Sequence, residues 1–360
     1  MIDERTRKLA KLVVNYSVRV CKGENVCISG STEASEFISA LYKEVILAGG
    51  HPVLRITLPG LAPFFYKHAS KEQIEKFPEI FDFIAKNCQK YIGIDTEFNT
   101  RELTGIDASK IAARKKVTSP ISHYIVNERD KIRRCSVGYP CAALAQEAEM
   151  SLVDYENFVF SACLQDWKRE GKKIDRILSR FKKGKKFHLI GENVDLKMEI
   201  MGRLAIADKG EDNMPGGEIF MAPVKDSVNG WIKFEYPAIE QGNEVSGISL
   251  KFENGKVVEA RAEKGEEFLK KMIATDENSC YLGELGIGMN PKITRYTKDL
   301  LFDEKIGGTI HLALGMAYTE NLPENETRES AIHWDIVKSM KKAKIILDGK
   351  IVQENGKWVI

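Results

Sequence analysis

NVCISGSTEASEFISALYKEVILAGGHPVLRI, residues 25–56, is the stretch that decides the fold of the first half of this chain. Its first five residues form a short, mostly apolar run that is typical of a buried strand, and Gly30 interrupts the run. Apolar side chains then recur at helical spacing over residues 37–46, and another apolar run follows the glycines at 49 and 50. Strand, helix and strand within about 30 residues predict a βαβ unit and hence a parallel sheet.

Similar patterns surround this unit. Apolar residues at helical spacing extend over residues 5–20 and 71–86, and residues 91–94 predict a further strand. The turn after the first strand lacks a GxGxxG arrangement, so it gives little support for a dinucleotide site. We therefore predict the α/β fold class, with an N-terminal parallel α/β domain over residues 1–185 and a linker at the basic run 182–186.

The pattern of apolar and polar residues changes after the basic run 182–186. Alternating patterns over residues 231–234, 248–252 and 256–260 predict short strands, and Asn254-Gly255 predicts a tight hairpin turn. One helix is predicted near residues 264–273. The second half, residues 186–360, is therefore expected to form a C-terminal strand-rich α+β domain.

The composition limits the classes of function that this protein can have. The 360 residues are 43% hydrophobic and 29% charged, which is ordinary for a globular protein. Basic and acidic residues number 54 and 52, and the resulting net charge of +2 gives no reason to expect nucleic acid or a membrane surface as a partner. The basic runs 131–134 and 182–186 are local, and we interpret them as a solvated helix face and a linker.

The cysteines and the first residues of the sequence indicate in which cellular compartment the protein is expected. The seven cysteines are dispersed without a CxxC motif, which is typical of reduced thiols that serve as small buried side chains. The first residues carry charges of both signs and no apolar signal segment, and no stretch approaches the roughly 18 apolar residues of a spanning helix. We expect a cytoplasmic protein.

Four phrases in the second half place acidic or imidazole groups inside apolar sequence. They span residues 215–220, 283–288, 309–315 and 331–337, and their charged members are Glu218, Glu284, His311, His333 and Asp335. Burying such groups is costly unless they are paired or bind a metal ion. Their concentration in one half of the chain predicts a metal centre, and therefore an enzyme.

Two of these phrases, read as strands, present their polar groups on a single face. Side chains alternate between the two faces of a strand, so His333 and Asp335 lie on the same face. His311 likewise shares its face with Ala313 and Gly315, whose small size leaves room for an ion or a substrate. Two imidazoles and one carboxylate form a suitable ligand set for zinc, cobalt, manganese or iron.

Glu218 and Glu284 enlarge this set. Glu218 follows the glycine turn at 215–217, and Glu284 lies in a glycine-rich apolar run. Five candidate ligands exceed what one tetrahedral zinc ion uses, and they suit two ions that share a bridging carboxylate. Each phrase alone also fits a purely structural role, and the remaining four histidines lie in no such phrase.

These motifs together are similar to those of a known family. Its signature is carried by NMPGGEIFMAP at 213–223, DSVNG at 226–230, GE at 283–284, LFDE at 301–304, HLALG at 311–315 with Tyr318, and IHWD at 332–335. In order and approximate spacing, this set resembles the thermophilic aminopeptidases, a family of metallopeptidases. The resemblance covers the second half by motif and the first half by its α/β character.

The resemblance implies a two-metal exopeptidase that removes N-terminal residues from short peptides. Its metal ligands would be Glu218, Glu284, His311, His333 and Asp335, with Glu284 as the bridge between two divalent ions of zinc, cobalt or manganese.

The resemblance also implies roles beyond metal binding. Tyr318 would hydrogen-bond the attacking water or the tetrahedral intermediate, and Glu284 or Glu304 would accept the proton of the water. The protein would be a homodimer. One departure is that Glu304 precedes His311 by seven residues, a wider spacing than in the family.

Two other functions remain open at this point. His311, His333 and Asp335 alone form a two-histidine, one-carboxylate triad that suits a mononuclear non-heme iron, and some ring-cleaving dihydroxypyridine dioxygenases resemble the peptidase fold. A peptide-binding protein with an inactive site is the third possibility. Metal analysis distinguishes them, because two zinc or cobalt ions, one iron ion and no metal are the respective expectations.

Overall fold

The computed structural model describes residues 2–240 and 242–359. The chain divides into two compact units, Met1–Gln165 with Gly210–Gly216, and Asp166–Lys209 with Gly217–Ile360. In chain order, the elements before residue 166 are α1 (Glu4–Leu12), β1 (Asn25–Ser31), α2 (Ser35–Leu47), β2 (His51–Thr57), α3 (Leu61–His68), α4 (Lys71–Glu75), α5 (Glu79–Asn87), β3 (Lys90–Asp95), α6 (Ala108–Asn127), β4 (Arg133–Gly138), α7 (Ala142–Glu147) and α8 (Leu152–Cys163).

The elements after residue 166 are mostly strands. They are α9 (Trp167–Phe181), β5 (Lys186–Gly191), β6 (Val194–Glu199), β7 (Ile206–Asp208), β8 (Asn213–Met214), β9 (Glu218–Met221), β10 (Asn229–Lys233), β11 (Ala238–Glu240), β12 (Asn243–Val245), β13 (Ser249–Glu253), β14 (Lys256–Arg261), α10 (Glu266–Ile273), β15 (Leu282–Gly288), α11 (Leu300–Asp303), β16 (Thr309–Gly315), β17 (His333–Ser339), β18 (Ala343–Leu347), β19 (Lys350–Glu354) and β20 (Lys357–Trp358).

The first unit contains the parallel sheet predicted from residues 25–56. Its strand order is β2-β1-β3-β4-β8, and each neighbouring pair runs parallel. Helix α2 connects β1 to β2 and buries Phe37, Ile38, Leu41 and Val45. The predicted α/β class is therefore confirmed.

Two local predictions in this unit were wrong. The helix expected over residues 71–86 is two helices, α4 and α5, because Pro78 has no N–H to donate and its ring disfavours helical geometry at Phe77. The basic run 131–134 is not a helix face. Arg133 and Arg134 begin strand β4, where the Arg133 guanidinium donates to the Ser17 carbonyl.

Besides the two-stranded antiparallel pair β11-β12, the second unit contains a large and a small antiparallel sheet. The large sheet has the order β14-β13-β10-β6-β5-β18-β19-β20, and the small sheet has the order β17-β16-β15-β9-β7. Leu312 and Trp334 of the small sheet share one buried core with Phe187 and Phe252 of the large sheet. Predicted strands at 231–234, 248–252 and 256–260 fall on β10, β13 and β14 of the large sheet, which confirms the strand-rich character of this half.

The boundary between the compact units differs from the linker position at 182–186. Helix α9 belongs to the second unit, because Ile174, Ile177, Leu178 and Phe181 are buried in that unit's core. The basic run covers only the end of α9 and the start of β5. Within residues 2–240 and 242–359, every helix is too short or too polar to cross a bilayer.

Candidate metal centre

The register of the small sheet places the candidate ligands on one face. Gly315 of β16 lies opposite His333 of β17, and Ala313 lies opposite Asp335. Residues that face each other in an antiparallel pair project to the same side of the sheet. His311, His333 and Asp335 therefore share a face, as the alternation predicted.

Strands β15 and β9 bring Glu284 and Glu218 to that same face. Glu284 lies opposite Ala313, and Glu218, the first residue of β9, lies opposite Gly288 of β15. The register shifts between Leu282 and Glu284, and a β-bulge of this kind redirects a side chain. The bulge depends on Gly283, because a Cβ there would lie 2.0 Å from the Met316 carbonyl oxygen.

Glycine also clears the space above β15. Gly286 lies opposite His311, and a Cβ at this position would meet the His311 Nε2 at 1.8 Å. The neighbouring residues Leu285 and Ile287 project to the other side, into the core of the unit. The imidazole thus occupies the volume that a side chain at 286 would fill.

The five groups form two overlapping clusters. Glu218, Glu284 and His311 each offer an atom within 4.8 Å of the others, and so do Glu284, His333 and Asp335. Glu284 belongs to both clusters. Its Oε1 lies 3.1 Å from the His311 Nε2, whereas its Oε2 lies 4.0 Å from the His333 Nε2.

The two carboxylate oxygens of Asp335 also face different histidines. Its Oδ1 lies 4.0 Å from the His311 Nε2, and its Oδ2 lies 3.6 Å from the His333 Nε2. On the opposite side, the Glu218 Oε2 lies 3.7 Å from the same nitrogen of His311. Carboxylates thus surround both imidazoles on one face of the sheet.

Backbone carbonyls fix the orientation of the two histidines. The His311 Nδ1 lies 3.0 Å from the Glu304 carbonyl oxygen, and the His333 Nδ1 lies 2.8 Å from the Met316 carbonyl oxygen. A carbonyl only accepts, so each Nδ1 carries the hydrogen and donates it. In the neutral imidazole the Nε2 is then a lone-pair donor, which is the usual arrangement of a metal-binding histidine.

The donor set fits divalent ions. Two buried carboxylate oxygens, Glu284 Oε2 and Asp335 Oδ1, accept no hydrogen bond from any residue in the described ranges 2–240 and 242–359. Buried carboxylate oxygens without a donor are costly unless a cation compensates them. Imidazole nitrogen with carboxylate oxygen is a ligand mixture that zinc, cobalt and manganese accept.

When no metal ion is bound, protons compensate the negative charge of this cluster. Burial raises the pKa of Glu218 well above its usual range, although Lys305 and His311 oppose this shift. Burial also raises the pKa of Asp335, against the influence of His333 and His311. Burial alone would lower the pKa of His311, but its hydrogen bond with Glu284 and the charges of Asp335 and Glu218 raise it to about 10. An ion at the centre would displace these protons.

Tyr318 lies beside the centre. Its ring centroid is 5.0 Å from that of His333 and 6.0 Å from that of Phe220. Burial, together with the charges of Glu284 and Asp335, raises the pKa of Tyr318 well above its usual range. The phenol therefore keeps its proton and can donate a hydrogen bond.

Two charged residues near the centre were missed in the sequence. Asp208, the last residue of β7, is buried and lies opposite Glu218 in the small sheet. Its signal was an acidic group at the end of the apolar stretch 204–207. The Lys305 ammonium lies 3.6 Å from Glu218 Oε1, but a lysine next to a glutamate gives no sign of burial.

Comparisons with known proteins bear on the class of this protein. A family model described as thermophilic metalloprotease (M29) matches residues 2–358. Aminopeptidase AmpS of Bacillus subtilis (strain 168) is 29% identical, over 99% of this chain and 100% of its own length.

Two solved structures share the fold. Wild-type AmpT from Thermus thermophilus has a TM-score of 0.86 at 24% identity, over 100% of both chains. The 2,5-dihydroxypyridine dioxygenase of Pseudomonas putida KT2440 has a TM-score of 0.64 at 14% identity, over 98% of this chain and 96% of its own.

These findings define the class of the protein as a metallopeptidase. More narrowly, the chain belongs to the thermophilic metalloprotease (M29) family. The resemblance drawn from the motifs is thereby confirmed, as is the expectation of a metal-dependent hydrolase. The likeness to AmpT shows that the fold is shared over both units of the chain.

Proposed function

We propose that this protein is an aminopeptidase that removes N-terminal residues from short peptides with two divalent ions. The observation that carries the proposal is the position of Glu284, which presents one oxygen to His311 and the other to His333. A carboxylate placed in this way is suited to bridge two ions. Glu218 and His311 would complete the ligands of one ion, and His333 and Asp335 those of the other.

When bound, the ions would supply Lewis acidity for the scissile carbonyl and a water of lowered pKa. The protein must then move a proton. Both oxygens of Glu284 face imidazoles, so we assign that proton to Glu304, whose charge acts on His333 and Tyr318. Burial would raise the pKa of Glu304, but Lys305 and His311 outweigh burial and lower it, so the group is ionised and can act as a base.

Tyr318 has the complementary role in this proposal. Its phenol is protonated and lies against the His333 ring, so it can donate a hydrogen bond to the oxyanion that develops on the substrate. We therefore assign Glu284 to the reaction as the bridge between the ions, Tyr318 as the hydrogen-bond donor to the oxyanion, and Glu304 as the proton acceptor.

Three further features belong to the proposal. The relatives' names support peptides with a free amino terminus as substrates. The family resemblance supports a homodimer. Within residues 2–240 and 242–359 no two cysteines form a disulfide, which supports a reducing compartment such as the cytoplasm.

Hydrolysis of matched peptides tests the proposal. After reconstitution with zinc, cobalt or manganese, we expect release of the first residue from a short peptide and none from its N-acetylated form. Glu284→Gln should reduce kcat by about 1000-fold or more, because it removes the bridge. Glu267→Gln, on the exposed surface of α10, is the matched control and should leave kcat unchanged. Equal cleavage of both peptides would contradict an exopeptidase.

A ring-cleaving dioxygenase remains the alternative, since His311, His333 and Asp335 also form a two-histidine, one-carboxylate triad. The family match and the placement of Glu218 on the far side of His311 favour the peptidase. Turnover of a dihydroxypyridine by the iron-reconstituted protein, without peptide hydrolysis, would favour the dioxygenase instead.

A further inference from the structure

Lys305 is a buried cation inside this acidic centre. Its side chain is 0% exposed, and its ammonium donates to the Leu301 carbonyl oxygen at 2.9 Å. The same ammonium forms an ion pair with Glu304 and lies 3.6 Å from the Glu218 Oε1. One fixed positive charge therefore lies between two carboxylates that flank the centre.

Lys305 contacts one carboxylate oxygen of Glu218 and one of Glu304, and it leaves the second oxygen of each group available for another partner. Glu218 turns Oε1 toward Lys305 and Oε2 toward His311, so a single oxygen remains for an ion. Lys305 holds Glu304 by Oε1, which leaves Oε2 to accept a proton. The backbone of Glu304 contributes as well, because its carbonyl oxygen orients His311.

We propose that Lys305 is a positioning residue that acts as a built-in cation of the centre: it restricts Glu218 to one-oxygen metal binding and aims Glu304 at the reaction. Carboxylates that lie this close repel one another, and a buried carboxylate is costly without a cation. Lys305 supplies that charge before any ion binds, so the Glu218 side of the centre is organised in advance. This inference rests on the proposed two-metal function for its catalytic part, but the coupling between Lys305 and Glu218 does not.

Lys338 offers a matched control. It is also 0% exposed, it also forms an ion pair, with Glu235 at 2.7 Å, and it also donates to a carbonyl oxygen, that of Lys233 at 3.0 Å. Its ammonium, however, pairs with a carboxylate outside the ligand set. Lys305→Met and Lys338→Met therefore remove equivalent buried charges, one inside the centre and one outside it.

The first test is the thermal unfolding of the metal-free protein. We expect each methionine variant to lower Tm by about 5 °C or more, because each leaves a carboxylate without its buried partner. Saturating zinc should raise Tm by more in Lys305→Met than in the wild type, since the ion also supplies the missing charge. In Lys338→Met, whose centre is intact, zinc should raise Tm by the same amount as in the wild type. Equal responses of the two variants to zinc would overturn the proposal.

A double-mutant cycle keeps the test independent of activity. In the metal-free protein, the double variant Glu218→Gln/Lys305→Met should lower Tm by less than the sum of the decreases caused by the two single variants. The reason is that each change removes the other's partner. Additive losses would contradict the pairing. If wild-type protein shows no metal-induced rise in Tm, the proposed function fails while this coupling can still be observed.

Kinetics test the positioning of Glu304. In metal-saturated Lys305→Met, kcat should fall by about 10-fold to 100-fold with KM nearly unchanged, because the proton acceptor is no longer aimed. A rise in KM at unchanged kcat would show that Lys305 serves substrate binding instead.

Discussion

At the scale of single residues, the centre depends on which group holds a proton and which holds an ion. His311 is the clearest case, because the surrounding carboxylates raise its pKa from 6.5 to about 10. In the metal-free protein this shift contributes stability that is fully present below about pH 6.5 and is lost as the pH rises through about 10. Metal and proton therefore compete for the same nitrogen.

This competition predicts proton release on metal binding. Near pH 8, a zinc ion that binds to His311 must displace the proton of the imidazolium, so we expect close to one proton or more released per molecule. Metal affinity should increase with pH up to about 10 and level off above it, where the imidazole is neutral. Calorimetric titrations in buffers of different ionisation enthalpy measure the release. A binding enthalpy that does not depend on the buffer would contradict the protonated state of His311.

Residue identity alone predicted the five candidate ligands, because charged groups in apolar phrases are conspicuous. It did not predict Lys305 or the partner of each oxygen. A lysine beside Glu304 looks like an ordinary surface pair in the sequence, and its burial arises only when α11 and β9 meet around it. Contacts of this kind depend on long-range packing, which local patterns do not record.

At the scale of elements, the small sheet explains how the centre is assembled. Alternation in β16 and β17 was predictable, since His311, His333 and Asp335 each lie at a fixed spacing from apolar neighbours. The register of β15 was not, because the bulge at Gly283 decides which side Glu284 faces. Strand pairing across long loops and a one-residue bulge leave only weak traces in a single sequence.

The glycine at 286 provides a test at this scale. Gly286→Ala should displace His311, because the new Cβ would lie 1.8 Å from Nε2, and we expect metal affinity to fall by about 10-fold to 100-fold. Gly93→Ala in β3 is the matched control, since its added Cβ meets only the Tyr91 side chain, at 3.3 Å. It should change metal affinity by less than about twofold. Similar losses in both variants would argue against a specific role for the space at 286.

At the scale of the whole molecule, the sequence predicted two different halves, and the structure contains a parallel α/β unit and a strand-rich unit. The boundary was harder to locate. Composition marked the basic run at 182–186, whereas the apolar face of α9 assigns that helix to the second unit. Residues 210–216 then return to the first unit and supply β8. No change in the composition of the sequence marks this return.

The central claim is that this centre holds two ions bridged by Glu284, and the most direct measurement counts and locates those ions. Crystals of the zinc-reconstituted protein, measured by anomalous scattering at the zinc edge, should show two sites. One should be bound by Glu218 and His311, the other by His333 and Asp335, and each should contact a different oxygen of Glu284. A single ion bound by His311, His333 and Asp335, with Glu284 uncoordinated at saturating zinc, would contradict the account.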